Sequence, residues 1–165
     1  MSPGYPCCCP SVKNCVFNDI QSPNTFQVTL AGYSTALGLC TGGAGEDCNS
    51  LNTNFVVTDT ETYPSCLWRY TKPGNPWCST GGTQFNQILL TLGEVGANTI
   101  LGIYTALNGG GVRGTFFEQS FVTATFDPTA LAATNIPRGP TTPGLFIGCN
   151  DHPGGGTPTC AVTSL

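Results

Sequence analysis

A chain of 165 residues has the length of a single domain and can bury a sizeable core. Five cations against nine acids, net charge −4, leave no basic stripe for phosphates, which argues against nucleic-acid binding, and no apolar run approaches the ~18 residues of a spanning helix. Aromatic content of 10% with 39% hydrophobic residues and only 8% charge excludes a disordered chain, so the 22 glycines and 13 prolines read as turns between short strands.

The chain opens on a segment, residues 1–22, rich in cysteine and proline, holding Cys7, Cys8, Cys9 and Cys15. It reads as an arm outside a single domain that fills residues 23–165. Within that domain, residues 25–33 alternate Phe26, Val28 and Leu30 against Gln27 and Thr29, the period of a half-buried strand. Further strands are expected at 54–58, 66–71, 87–92, 98–107, 115–126, 144–149 and 160–165. Breaker clusters at 42–45, 72–76, 108–111, 137–140 and 153–156 separate them. Residues 93–97 join two strands as a hairpin turn, and the one short helix expected is a turn or two at 128–135, with Pro128 in its first position. About eight short strands imply an antiparallel sandwich or barrel. The expected fold is all-β, a disulfide-stabilised antiparallel β-sandwich of immunoglobulin-like or jelly-roll-like form with an N-terminal arm.

Ten cysteines, an even count, point to an oxidising final location. No secretory signal is visible at the start, so an extracellular protein of this kind is expected to leave the cell by another route, as virion components do at lysis. Three pairs flank loops: Cys40 with Cys48, Cys66 with Cys78, and Cys149 with Cys160. Each bridge would contribute roughly 2 to 4 kcal/mol by restricting the unfolded chain. Spacing does not fix the connectivity. Adjacent cysteines do not readily bridge one another, so the triplet must bond elsewhere, to its own domain or to a neighbouring subunit. Zinc is disfavoured, because no C-x-x-C occurs and His152 is the sole imidazole.

No catalytic set emerges, and neither a cofactor nor a metal site is expected. His152 sits in a glycine loop beside Asp151, which cannot orient it as a triad acid. Asp59 with Glu61, or Glu94 with Glu118, are carboxylate pairs that solvated strand ends explain equally well. The stretch 109–114 fits G-x-G-x-x-G, yet its flanks read as strands and a dinucleotide site needs a helix there. In residues 66–70, Cys66, Trp68 and Tyr70 share one face, which places Trp68 in the core. Trp77 with Tyr63 or Tyr70 would be the ring platform of a sugar site.

The order Cys48-Asn49-Ser50-Leu51-Asn52, then Cys66-Leu67-Trp68, an apolar strand pair, Cys149 and the ending Cys160-Ala161-Val162-Thr163 resembles small cysteine-rich β proteins of unknown function from environmental bacteria and their viruses. The resemblance implies no activity and no functional residue. The expected function is a non-enzymatic structural subunit of a homopolymeric extracellular assembly, a pilus-like filament or a virion surface or tail component. Its partners are copies of itself, joined by disulfides and by strand addition from residues 14–20 or 25–33. The alternative is a carbohydrate-binding module that takes surface glycans.

Overall fold

The computed structural model describes residues 12–14, 21–33, 46, 48–60, 66–78, 84–106, 112–139 and 158–165. They form twelve strands: β1 (Val12–Asn14), β2 (Gln21–Pro23), β3 (Thr25–Ala31), β4 (Asn54–Asp59), β5 (Leu67–Thr71), β6 (Trp77–Cys78), β7 (Gln84–Phe85), β8 (Gln87–Val95), β9 (Asn98–Ala106), β10 (Val112–Val122), β11 (Thr134–Ile136) and β12 (Thr159–Ser164). Among the described residues the helical pieces are 3-10 turns, at Cys48–Leu51 and Pro128–Ala130.

Eight strands make one antiparallel sheet in the order β10-β9-β8-β5-β4-β3-β12-β11. Its outer members approach each other through a bridge between Phe117 and Arg138, and the Glu118 amide donates to the Pro137 carbonyl at 3.0 Å. The sheet is thereby nearly closed into a barrel. Read round the ring, every strand follows its chain neighbour, with the β6–β7 ladder as one excursion between β5 and β8. This up-and-down order comes from consecutive hairpins, which need no crossing connection. The all-β antiparallel expectation agrees with it. Two facing sheets were expected, whereas the ladder is continuous from β10 to β11.

Alternation decides what fills the interior. In β3, Phe26, Val28 and Leu30 are buried, and their ladder partners Val57 and Phe55 on β4 and Val162 and Cys160 on β12 are buried with them. Ile88, Leu90 and Leu92 of β8 face Thr105, Ile103 and Leu101 of β9. An eight-stranded barrel is just wide enough for side chains to fill, and these do. Trp68 is fully buried, as expected, edge-on to Phe26 with centroids 4.9 Å apart, and its indole N–H donates to the Pro23 carbonyl at 2.9 Å.

Turn chemistry sets the register. Gly96, at φ 61°, takes the first place of the two-residue loop between β8 and β9, where a tight hairpin needs positive φ. The short helix expected at 128–135 shrinks to one 3-10 turn. Pro128 opens it and Asp127 caps it, accepting from the Thr129 amide at 2.9 Å, but β11 already begins at Thr134. The Ser164 hydroxyl donates to the Pro128 carbonyl and accepts from the Leu131 amide, tying the turn to β12.

The barrel has two unlike ends. One end gathers Thr25, Asp59, Leu67, Val95, Val122, the Pro128–Ala130 turn and Leu165, together with the β1–β2 ladder that leads into β3. This is the arm end. The other, the mouth end, gathers Tyr33, Leu51, Lys72, Asn86, Ala106, Arg138 and the β6–β7 ladder. One of the two strand donors expected from the sequence is corrected by this arrangement. Strand β3 pairs on both sides, with β4 and β12, so it offers no edge. Of the other, Asn14 pairs with Gln21 in the β1–β2 ladder and residues 15–20 lie outside the described residues. The strand expected at 144–149 lies outside the described residues.

Candidate functional site

Of the ten cysteines, Cys66 and Cys160 have described side chains, Cys48 and Cys78 are placed by their backbone alone, and Cys7, Cys8, Cys9, Cys15, Cys40 and Cys149 lie outside the described residues. No disulfide joins the described side chains of Cys66 and Cys160. Cys66, at the arm end, packs half-buried against the core just before β5. Cys160 carries a free thiol, which corrects the expected bridge to Cys149. The reason lies in the alternation of β12: Cys160 and Val162 both point inward, and Cys160 fills core space beside Leu30 as a small hydrophobe.

Burial pushes the Cys160 thiol up to about 12. Because its folded value exceeds the unfolded 9.0, the folded state holds this proton more tightly. Stability from Cys160 is complete below pH 9 and is lost as pH rises towards 12. A native thiol titration at pH 8 is expected to leave Cys160 unmodified, and denaturant to expose it; rapid labelling of Cys160 in the folded protein would contradict its place in the core.

The mouth end is built from aromatic rings and a few polar groups. Trp77 is 1% exposed, against Phe55 and Phe85, each at 5.5 Å, and Tyr70 at 6.3 Å. Lys72 Nζ lies 5.7 Å from the Trp77 ring centroid and 2.8 Å from the Glu46 carboxylate. That hydrogen bond from Lys72 holds the Glu46 carboxyl below its usual value. The expectation that Trp77 contacts ligand from the surface is therefore corrected. It belongs to a ring cluster that plugs the barrel, which a proline-flanked Trp-Cys pair in the sequence does not reveal. Tyr63, its expected companion, lies outside the described residues. Beside the cluster, the Trp77 indole N–H, the Asn86 side-chain oxygen and the Thr105 hydroxyl are buried with no hydrogen-bond partner within the protein. Each such group costs roughly 1 to 3 kcal/mol. Sequence reasoning missed Asn86 and Thr105, because orphaned polarity depends on which strands become neighbours.

On the mouth wall, the Tyr33 hydroxyl is held well above its ordinary value by burial first and by Cys160 second, with Arg138 opposing. Asn52 clamps the Tyr33 backbone, accepting from its amide and donating to its carbonyl, both at 2.8 Å.

The arm end differs in character. Three large hydrophobic residues are exposed there: Val95 at 66%, Val122 at 56% and Leu165 at 58%. Val95 and Val122 flank Asn98 on neighbouring strands of one outer face. The carboxylates of Asp59, Glu94 and Asp127 belong to this end. The candidate carboxylate pair does not assemble: alternation puts Glu94 on the inner face with Leu92 and Glu118 on the outer, beside Gly102. Residues 112–114 of the glycine motif lie in strand β10, not at a helix start. Glu61 and His152 lie outside the described residues.

Compared with protein-family models, with curated proteins and with solved structures, the chain gives no match.

Proposed function

We propose that this chain is a non-enzymatic structural subunit of a homopolymeric extracellular assembly, a pilus-like filament or a virion surface or tail component, whose copies are joined by disulfides from the cysteine-rich arm. The observation that carries the reading is the root of that arm. The β1–β2 ladder starts three residues after Cys9 and stands at the end of the barrel where Val95, Val122 and Leu165 are exposed. From Val12, the thiols of Cys7, Cys8 and Cys9 reach at most about 10 to 17 Å at ~3.3 Å per residue. The body positions Cys48 and Cys78 are at the far end, beyond strands of seven to nine residues, each about 20 Å or more in length. Reach therefore favours a neighbour's mouth end over the arm's own. Electron microscopy of purified protein, with and without reductant, tests this: reductant-sensitive polymers are expected, and monodisperse particles in both samples would refute it.

A second reading, a carbohydrate-binding module, is favoured by one observation, the three orphaned polar atoms beside the mouth rings. An indole donor, an amide acceptor and a hydroxyl together match sugar hydroxyls. A glycan array showing binding that Asn86→Ala abolishes would support it, and a blank array would remove it.

A further inference from the structure

The outer wall of β5, β8, β9 and β10 carries one aromatic ring laid down along its own strand. Alternation fixes the faces: Trp68, Leu92, Ile103 and Phe117 point inward, so Arg69, Thr91, Gly102, Tyr104 and Glu118 point outward. On β9 the Tyr104 side chain reaches back over Gly102, where a Cβ would stand 2.7 Å from the ring's Cζ. Only glycine leaves the ring that room. The register then sets polar groups round it: Glu118 of β10 and Thr91 of β8 pair with Gly102, and Arg69 of β5 lies two strands from Tyr104, beyond Leu89. Arg69 is exposed, and Thr91, Tyr104 and Glu118 are half-buried. Among the described residues, the side chains of these four make no hydrogen bond or ion pair.

We infer that this wall is a carbohydrate-binding platform, with a sugar residue stacked on the Tyr104 ring and its hydroxyl groups bonded by Glu118, Thr91 and Arg69. The inference rests on the carbohydrate reading for its ligand class and gives that reading a surface distinct from the mouth. A sugar ring has an apolar C–H face and a rim of hydroxyls, each a donor and an acceptor at once. An aromatic ring meets the apolar face. At the rim a carboxylate accepts, a guanidinium donates and a threonine hydroxyl does both. Strands lie about 4.8 Å apart, so Arg69 and Glu118, three strands from each other, frame about 14 Å of wall with Tyr104 between them. That width suits a chain of sugars rather than a single one. Covering a glycine accounts for where the ring lies, but it does not call for unengaged groups of both charges around it.

The experiment is a glycan array probed with the full chain, followed by calorimetric titration of the best-bound oligosaccharide against variants whose fold is checked by thermal melts. Tyr104→Ala is expected to weaken binding about tenfold or more. Gly102→Ala removes no contact group, yet it is expected to weaken binding as much, because its methyl displaces the ring. Glu118→Gln and Arg69→Ala leave the ring and the sheet in place, and each is expected to weaken binding about threefold to tenfold. Asn86→Ala, at the mouth, is expected to bind as the parent does. Tyr104→Ala and Gly102→Ala proteins that melt earlier but bind as the parent does would leave the ring a cover for glycine alone and overturn the platform. Binding kept in Tyr104→Ala and lost in Asn86→Ala would put the glycan at the mouth, overturning the platform while the carbohydrate reading stood. A blank array would remove both.

Discussion

Protein carrying Cys7→Ser, Cys8→Ser and Cys9→Ser together is expected to run as a monomer on a non-reducing gel, where the parent chain gives a reductant-sensitive ladder of multimers. The effect is expected to be all or none, because the proposed links between copies run through the triplet. The three substitutions fall ahead of β1 and replace none of the buried side chains described in the barrel, so the fold should survive them. Unfolding by denaturant checks this: the midpoint should stay within the range of ordinary surface changes, about 0.5 kcal/mol. A ladder that persists in the triple variant would move the linkage to another cysteine. Monomers in the parent would remove the linkage altogether.

Trp68→Ala is expected to be the most damaging single substitution in the core. It empties the space of a fully buried indole, removes the edge contact with Phe26, and leaves the Pro23 carbonyl without its donor at 2.9 Å. Truncating a buried aromatic to alanine costs about 3 to 5 kcal/mol. A domain of this size is stable by roughly 5 to 15 kcal/mol, so the variant should retain only part of its stability. Because Pro23 closes the β1–β2 ladder, the loss also loosens the root of the arm. Trp68→Phe keeps most of the ring while removing the N–H, and comparing the two in denaturant melts separates packing from the hydrogen bond. A change below about 1 kcal/mol in Trp68→Ala would mean that the indole is not seated in the core.

Much of the barrel was legible because a half-buried strand writes its period into the chain. Phe26, Val28 and Leu30 announce β3, and the apolar positions of 66–70 place Trp68 inside before any neighbour is known. The glycine-bearing break at 93–97 announces the hairpin that Gly96 makes. What closes the sheet was not legible. Strand β11 is three residues long, too short to show a period, and its role depends on meeting β10 from across the chain. The same holds for the candidate sites. Trp77, flanked by Pro76, reads as a surface ring, yet the excursion through β6 and β7 folds it onto Phe55, Tyr70 and Phe85. Cys160 reads as half of a loop-closing bridge, yet the phase of β12 turns its thiol into the core.

Peptide mapping of the disulfides in assembled protein, made from a mixture of isotopically heavy and light chains, tests the account most directly. The account predicts heavy-to-light cross-links joining Cys7, Cys8 or Cys9 to the mouth-end cysteines Cys48 or Cys78, with Cys160 recovered as a thiol. Arm cysteines bonded only within their own chain, to Cys66 for instance, or found reduced throughout, would contradict it.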